Sequence, residues 1–152
     1  MKEEIKFVHT NIIAEDWKKL AQFYIDVFGC EPVYPERNLK GVWVEQLTGI
    51  AQSHLTGMHL KLPGYKDGPT LEIFQYSPEE LRTNDHRINQ QGFGHLAFQV
   101  NDIGIMMDKI LKAGGEKYGE LVEKEITGVG ILTAIYISDP EGNIVELQNW
   151  KK

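Results

Sequence analysis

Cysteine is almost missing from this sequence. Cys30 is the single one among 152 residues. A framework of internal disulfides is thereby excluded, and a reducing, cytoplasmic compartment is the expectation. Long hydrophobic runs are missing as well. No stretch approaches the ~20 consecutive apolar residues that a membrane-spanning helix needs, so no membrane partner is expected. The opening Met1-Lys2-Glu3-Glu4-Ile5 has no apolar core before a small-residue cleavage site and does not read as a signal peptide. Nor is there an excess of basic charge. The sequence carries 16 Lys and Arg against 22 Asp and Glu, a formal net charge of −6. Its basic residues are scattered, and the closing Lys151-Lys152 is too short for a binding tail. A nucleic-acid partner needs a basic face, so none is expected. What is present, 41% hydrophobic and 25% charged residues, suits a globular protein of one compact domain or two small modules sharing a core.

The chain reads as a repeat. With His9 aligned on His95, Asp16 and Asp102 each follow seven residues later, and Gly29 and Gly115 each follow twenty residues later. No gap is needed between these markers. Trp17, Leu20, Ala21, Tyr24 and Ile25 meet Ile103, Met106, Met107, Ile110 and Leu111. Each half opens with an apolar strand, over 5–12 and 93–100, that reaches an Asp able to cap a helix. Apolar residues spaced by three and four then predict helices near 16–28 and 102–113. Glycine ends each helix, at Gly29 and at Gly114-Gly115. Strands are expected over 41–47, 57–62 and 70–76 in the first half and over 117–124, 131–138 and 143–149 in the second. Asp139-Pro140-Glu141-Gly142-Asn143 is a turn between the last two. The segment 48–54 reads as a loop. The fold class is α+β, with two βαβββ modules at about 1–76 and 92–152 and a polar linker at about 77–91.

Strand alternation selects the chemistry. Leu96, Phe98 and Val100 belong on the helix side of their strand, and His95 projects to the other face. Val8 and Ile12 likewise leave His9 on the open face. Leu71 and Ile73 leave Glu72 there, and Val145 and Leu147 leave Glu146 there. Each half therefore offers one inward histidine from its first strand and one inward glutamate from its last. An inward Glu on an apolar strand is costly unless it is paired or binds metal. Two imidazoles and two carboxylates around a pseudo-twofold axis make a metal site, and the carboxylates cancel a divalent charge. The expected ligands are His9, Glu72, His95 and Glu146, for a divalent ion that is Zn, Ni, Co, Mn or Fe. The other histidines lack this symmetry. His54 falls in the loop and His86 in the linker, both read as solvated. His59 alternates against Met58 and Leu60 and fits either side of its strand, with a surface place favoured over a pocket role.

At these residues the chain resembles the vicinal oxygen chelate superfamily, which includes glyoxalase I, methylmalonyl-CoA epimerase, extradiol dioxygenases and bleomycin-resistance proteins. Three strings carry the likeness: Phe23-Tyr24-Ile25-Asp26-Val27-Phe28-Gly29, Gly92-Phe93-Gly94-His95-Leu96-Ala97-Phe98, and Asp139-Pro140-Glu141-Gly142-Asn143-Ile144-Val145-Glu146-Leu147. The resemblance implies one domain in which two modules form a cupped, barrel-like mixed sheet with the helices outside. It also implies a metal in the cup, open positions for a small-molecule substrate, and a homodimer. Glyoxalase and epimerase members use four ligand positions, and His9, Glu72, His95 and Glu146 match them. A two-His, one-Glu dioxygenase set leaves Glu72 without a ligand role. Bleomycin-resistance-type binders dispense with the metal.

For the glyoxalase or epimerase type, the implied chemistry is proton transfer. A divalent ion binds two neighbouring substrate oxygens, acidifies the adjacent C–H and stabilises an enediolate or enolate. Glu72 or Glu146 is the candidate base. Phe74, Tyr76 and Tyr136 are candidates for the wall of the cup. The sequence has no strong local signature for glutathione and no basic cluster for a coenzyme A phosphate. An extradiol-type dioxygenase and a non-catalytic small-molecule or antibiotic-binding protein remain the alternatives.

Overall fold

The computed structural model describes residues 4–152. Met1, Lys2 and Glu3, which open the segment read above against a signal peptide, lie outside the described residues. The chain divides into two compact units, one ending at Leu81 and the other running from Arg82 to Lys152. Among the described residues no helix is long and apolar enough to cross a membrane.

The first unit runs β1 (His9–Ile13), α1 (Trp17–Phe28), β2 (Glu31–Lys40), α2 (Val42–Thr48), β3 (His54–Lys61) and β4 (Thr70–Ser77). Its sheet has the order β1-β4-β3-β2. β1 lies parallel to β4, and the other pairs are antiparallel. Asp16 starts α1 by accepting the Lys19 backbone N–H at 3.2 Å. Gly29, at φ 70°, closes it with an N–H bond to the Ile25 carbonyl. Between these caps Trp17, Leu20, Ala21, Tyr24, Val27 and Phe28 are buried as one stripe. α1 packs on β3 and β4. There Leu60, Leu71 and Ile73 are fully buried, each worth about 1.5–3 kcal/mol of transfer free energy.

The second unit runs β5 (Leu96–Gln99), α3 (Ile103–Lys112), β6 (Glu116–Lys117), β7 (Val122–Ile126), β8 (Gly130–Ser138) and β9 (Ile144–Lys151). Its order is β5-β9-β8-β6, and β7 also pairs with β8. β5 is parallel to β9. Asp102 caps α3 through the Ile105 N–H at 2.9 Å. Ile110, Ile137, Val145 and Leu147 form a fully buried core. The two units therefore share one connectivity. β1 corresponds to β5, α1 to α3, β3 to β8 and β4 to β9, while β6 and β7 together stand for β2.

Six elements depart from the sequence expectation. The segment 41–47, expected as a strand, is helix α2. Val44 and Thr48 sit one turn apart on it, the Thr48 hydroxyl bonds the Val44 carbonyl at 2.8 Å, and Gly49 closes the end in a left-handed conformation. Its apolar residues at 42, 43, 44 and 47 fit either period, and the burial of Val44 against Leu55 and Phe74 settles it. β2 was not expected, because Glu31, Pro32, Pro35 and Glu36 do not read as a strand. It is an edge strand with a register shift between Val33 and Arg37, where proline costs little. The expected strand over 117–124 is split into β6 and β7. The opening strands begin later than expected, at His9 and Leu96, and leave residues 5–8 exposed.

The turn before β9 is built on one buried carboxylate. Asp139 Oδ1 accepts the Glu141 and Asn143 backbone N–H groups, both at 2.9 Å, and Oδ2 accepts Asn143 Nδ2 at 2.9 Å. Asp139→Ala strands these donors. It is expected to cost about 3 kcal/mol, the upper end of about 1.5–3 kcal/mol for one hydrogen bond to a charged group, because the freed donors are only part-buried and regain water. Urea unfolding of the variant beside the parent checks this. Burial pushes the Cys30 thiol up to about 11, so little thiolate forms at neutral pH. Native protein at pH 7.5 is expected to react with a thiol-specific disulfide reagent far more slowly than the same protein unfolded in guanidinium.

Candidate metal centre

Alternation along β4 turns Leu71 and Ile73 toward α1 and Glu72 to the opposite face. Strand pairing then supplies its neighbours. Parallel β1 lays Asn11 beside Glu72, and antiparallel β3 lays His59 beside it. The Glu72 side chain is only 13% exposed, so its charge needs partners. Oε1 accepts Asn11 Nδ2 at 2.8 Å and lies 3.7 Å from His9 Nε2. Oε2 lies 2.8 Å from His59 Nε2. The other ring nitrogen of His59, Nδ1, is 2.9 Å from Thr70 Oγ1. The His9 and His59 rings meet edge to face at 5.3 Å, and the Phe74 ring stands edge-on to His59 at 6.0 Å. Ligand atoms of His9, His59 and Glu72 all lie within 4.8 Å of one another. Burial holds the His59 imidazole below its usual value. The Glu72 charge opposes this, and Arg37 and His9 add to it. The result favours the neutral ring, whose lone pair can bind a cation.

Phe74, Leu55 and Tyr76 share this face with Glu72, and Val44 of α2 packs over the Leu55–Phe74 end. Gly57 lies between Leu55 and His59 on β3. A Cβ there would come within 2.3 Å of the Phe74 ring and 2.1 Å of the Ile73 carbonyl oxygen. The absence of a side chain at position 57 lets Phe74 lie against the sheet beside the imidazole.

The second unit repeats the design with one change. Glu146 of β9 stands between Ala97 of β5 and Tyr136 of β8. Its Oε2 is 3.1 Å from His95 Nε2. The Tyr136 ring meets His95 edge to face at 5.1 Å. Burial, and then the charge of Glu146, push the Tyr136 phenol above its ordinary value. Tyr136 occupies in β8 the position that His59 occupies in β3, each directly opposite the glutamate.

The structure places His9 beside Glu72 in the first unit and His95 beside Glu146 in the second. It corrects the other histidines. His59 is not a surface residue: its side chain is 18% exposed and it touches Glu72. The clue was local, because Met58 and Leu60 on either side of it are both buried toward the helix. His54 is not in a loop but opens β3, with Nε2 2.6 Å from Asn38 Oδ1. His86 is half-buried, with Nε2 3.0 Å from the Gly94 carbonyl oxygen.

Two modules of this connectivity, each placing a histidine and a glutamate on the sheet face away from its helix, define a repeated α+β fold. The chain belongs to the Glyoxalase/Bleomycin resistance protein/Dioxygenase superfamily, whose family model matches residues 6–147; this is the vicinal oxygen chelate superfamily. No curated protein matches it. Among solved structures it is similar to a glyoxalase family protein from Bacillus cereus, with TM-score 0.85, 20% identity and coverage of 99% of this chain and 97% of that one. A glyoxalase/bleomycin resistance protein/dioxygenase family enzyme from Burkholderia phytofirmans PsJN gives TM-score 0.62 at 15% identity, covering 97% and 100%. The fosfomycin resistance protein FosX from Listeria monocytogenes, in complex with Mn(II) and sulfate, gives TM-score 0.52 at 15% identity, covering 99% and 95%. These likenesses concern the fold.

The donor set fits a divalent transition metal. Neutral imidazole nitrogen and carboxylate oxygen suit Zn, Ni, Co, Mn and Fe, and Asn11 and Thr70 hold two donors from behind as outer-shell partners do. Asn11→Ala frees Glu72 Oε1 while leaving every candidate ligand in place. It is expected to weaken divalent-metal binding by about 10–100-fold, read by titration calorimetry with Co(II) or Zn(II).

Proposed function

We propose that this chain is a divalent-metal-dependent enzyme of the glyoxalase or epimerase type, in which His9, Glu72, His95 and Glu146 hold one ion. The observation that carries this reading is the repeated pair: each module faces a largely buried glutamate with an imidazole, at 3.7 Å in the first and 3.1 Å in the second. The Mn(II) bound to FosX, a protein of similar fold, supports a metal in this architecture. In this reading the two modules act as one domain, the protein is a cytoplasmic homodimer, and the substrate is a small molecule with a carbonyl beside an acidic carbon.

A bound divalent ion would supply Lewis acidity toward that carbonyl. The protein supplies the rest. Glu72 and Glu146 accept and return the proton at the carbon beside the carbonyl. Asn11 sets the orientation of Glu72 through its amide on Oε1. Tyr136, kept protonated by burial and by Glu146, presents a phenol O–H beside His95. Phe74 and Tyr76 give apolar wall that keeps water from the reacting carbon.

Metal content after reconstitution tests the centre. One ion per chain with about micromolar affinity or better is expected, weakened by His95→Ala; uptake unaffected by that substitution would refute the four-residue centre. Glu146→Gln keeps an oxygen donor and the volume but cannot accept a proton. It is expected to retain metal and lose about 10²–10⁴-fold in turnover. The same loss in Glu72→Gln would mean that each carboxylate serves one face of the substrate. The assay follows deuterium incorporation from solvent into 2-oxoaldehyde–thiol adducts and 2-methylacyl thioesters. Oxygen uptake with Fe(II) and a catechol would instead establish the dioxygenase alternative. Binding without turnover of any class would establish the sequestering one.

A further inference from the structure

We propose that His59 is a further metal ligand, so that the first module by itself presents a facial set of two imidazoles and one carboxylate: His9, His59 and Glu72. The proposal rests on the reading that His9 and Glu72 bind a metal, and it goes beyond the four residues that the repeat supplies.

Three observations point to it. The first is convergence. Donor atoms of the three residues lie within 4.8 Å of one another, and His59 Nε2 stands 2.8 Å from Glu72 Oε2. Donors bonded to one ion at about 2.1 Å and at right angles stand about 3 Å apart. The second is orientation. Thr70 Oγ1, at 2.9 Å, takes up His59 Nδ1 and leaves Nε2 directed into the site. Metal-ligating histidines are held in this way, by a partner on the nitrogen that does not bind. Phe74 fixes the ring from its side. The third is that Glu72 does not need His59 for both its oxygens. Oε1 already has the Asn11 amide at 2.8 Å, so the carboxylate stays oriented while His59 turns its lone pair to an ion.

The repeat sharpens the point. Tyr136 holds the equivalent place in the second module. A protonated phenol is a poor ligand beside an imidazole, so the two modules contribute unequally, three donors against two.

Co(II) is the probe. Paramagnetic proton spectra of the Co(II)-loaded protein are expected to show three strongly shifted, exchangeable imidazole N–H signals, from His9, His59 and His95. His59→Gln preserves volume and a donor toward Glu72 but removes the ring. It is expected to delete one of the three signals, shift the visible d–d bands and lower Co(II) affinity by about 100-fold. Thr70→Val serves as the second variant: it keeps the His59 ligand but opens its N–H to solvent, so one signal broadens while the metal stays bound. An unchanged signal count and unchanged bands in His59→Gln, with Co(II) binding still lost in His9→Ala, would overturn the His59 ligand and leave the four-residue reading standing. Loss of a signal in His59→Gln with no effect of His95→Ala would support His59 and remove the four-residue reading. Co(II) uptake unaffected in His9→Ala, His59→Gln and His95→Ala alike would end both.

Discussion

The parallel pairing of the first and last strands in each module is the constraint on which the site depends. A histidine at the start of one strand and a glutamate in the middle of another have no reason to meet in sequence. The β1–β4 ladder puts Asn11 level with Glu72 and brings His9 within reach of it. The β5–β9 ladder puts Ala97 level with Glu146, with His95 two residues before it. The helix packed on the far side makes the pairing stable. Leu71, Ile73, Val145 and Leu147, the neighbours of the two glutamates, are all fully buried. A one-residue slip would turn these four out of the core and the glutamates into it, which the buried face forbids. Core packing and site geometry are two readings of a single register.

Much of this was legible in the sequence because it rests on period and symmetry. The Asp caps, the glycine stops and the apolar stripe of α1 are local signals, and the structure reproduces them within a residue or two; of the stripe expected on α3 only Ile103 and Ile110 are buried, and Leu111 is exposed. The faces of Glu72 and Glu146 followed from strict alternation between buried neighbours. What stayed hidden depends on tertiary pairing. β2 is charged and proline-containing and exists because β3 offers it an edge. α2 has apolar residues that suit a strand as well as a helix, and only the cover it gives Leu55 and Phe74 selects the helix. His59 lay between two apolar residues without a twin in the second half, so symmetry, the strongest argument for the other four residues, argued against it.

The site face of the first module is graded along its strands. At one end Val44, Leu55, Phe74 and Tyr76 make an apolar floor and cover. Toward the other, Glu72, His59, His9 and Asn11 gather charge and hydrogen-bonding groups. A low local dielectric beside the polar cluster strengthens each electrostatic contact within it. The short helix α2 is what closes the apolar end, and the second module has no counterpart to it.

The pair His59 and Tyr136 also bears on the history of the chain. A module copied in tandem begins with two identical faces, and any later difference between them is a record of divergence. Histidine and tyrosine codons differ only in their first base. One base change at the position opposite the glutamate therefore suffices to make one copy richer in nitrogen donors and the other in hydroxyl, while the strands, caps and core that both copies need for folding stay as they were.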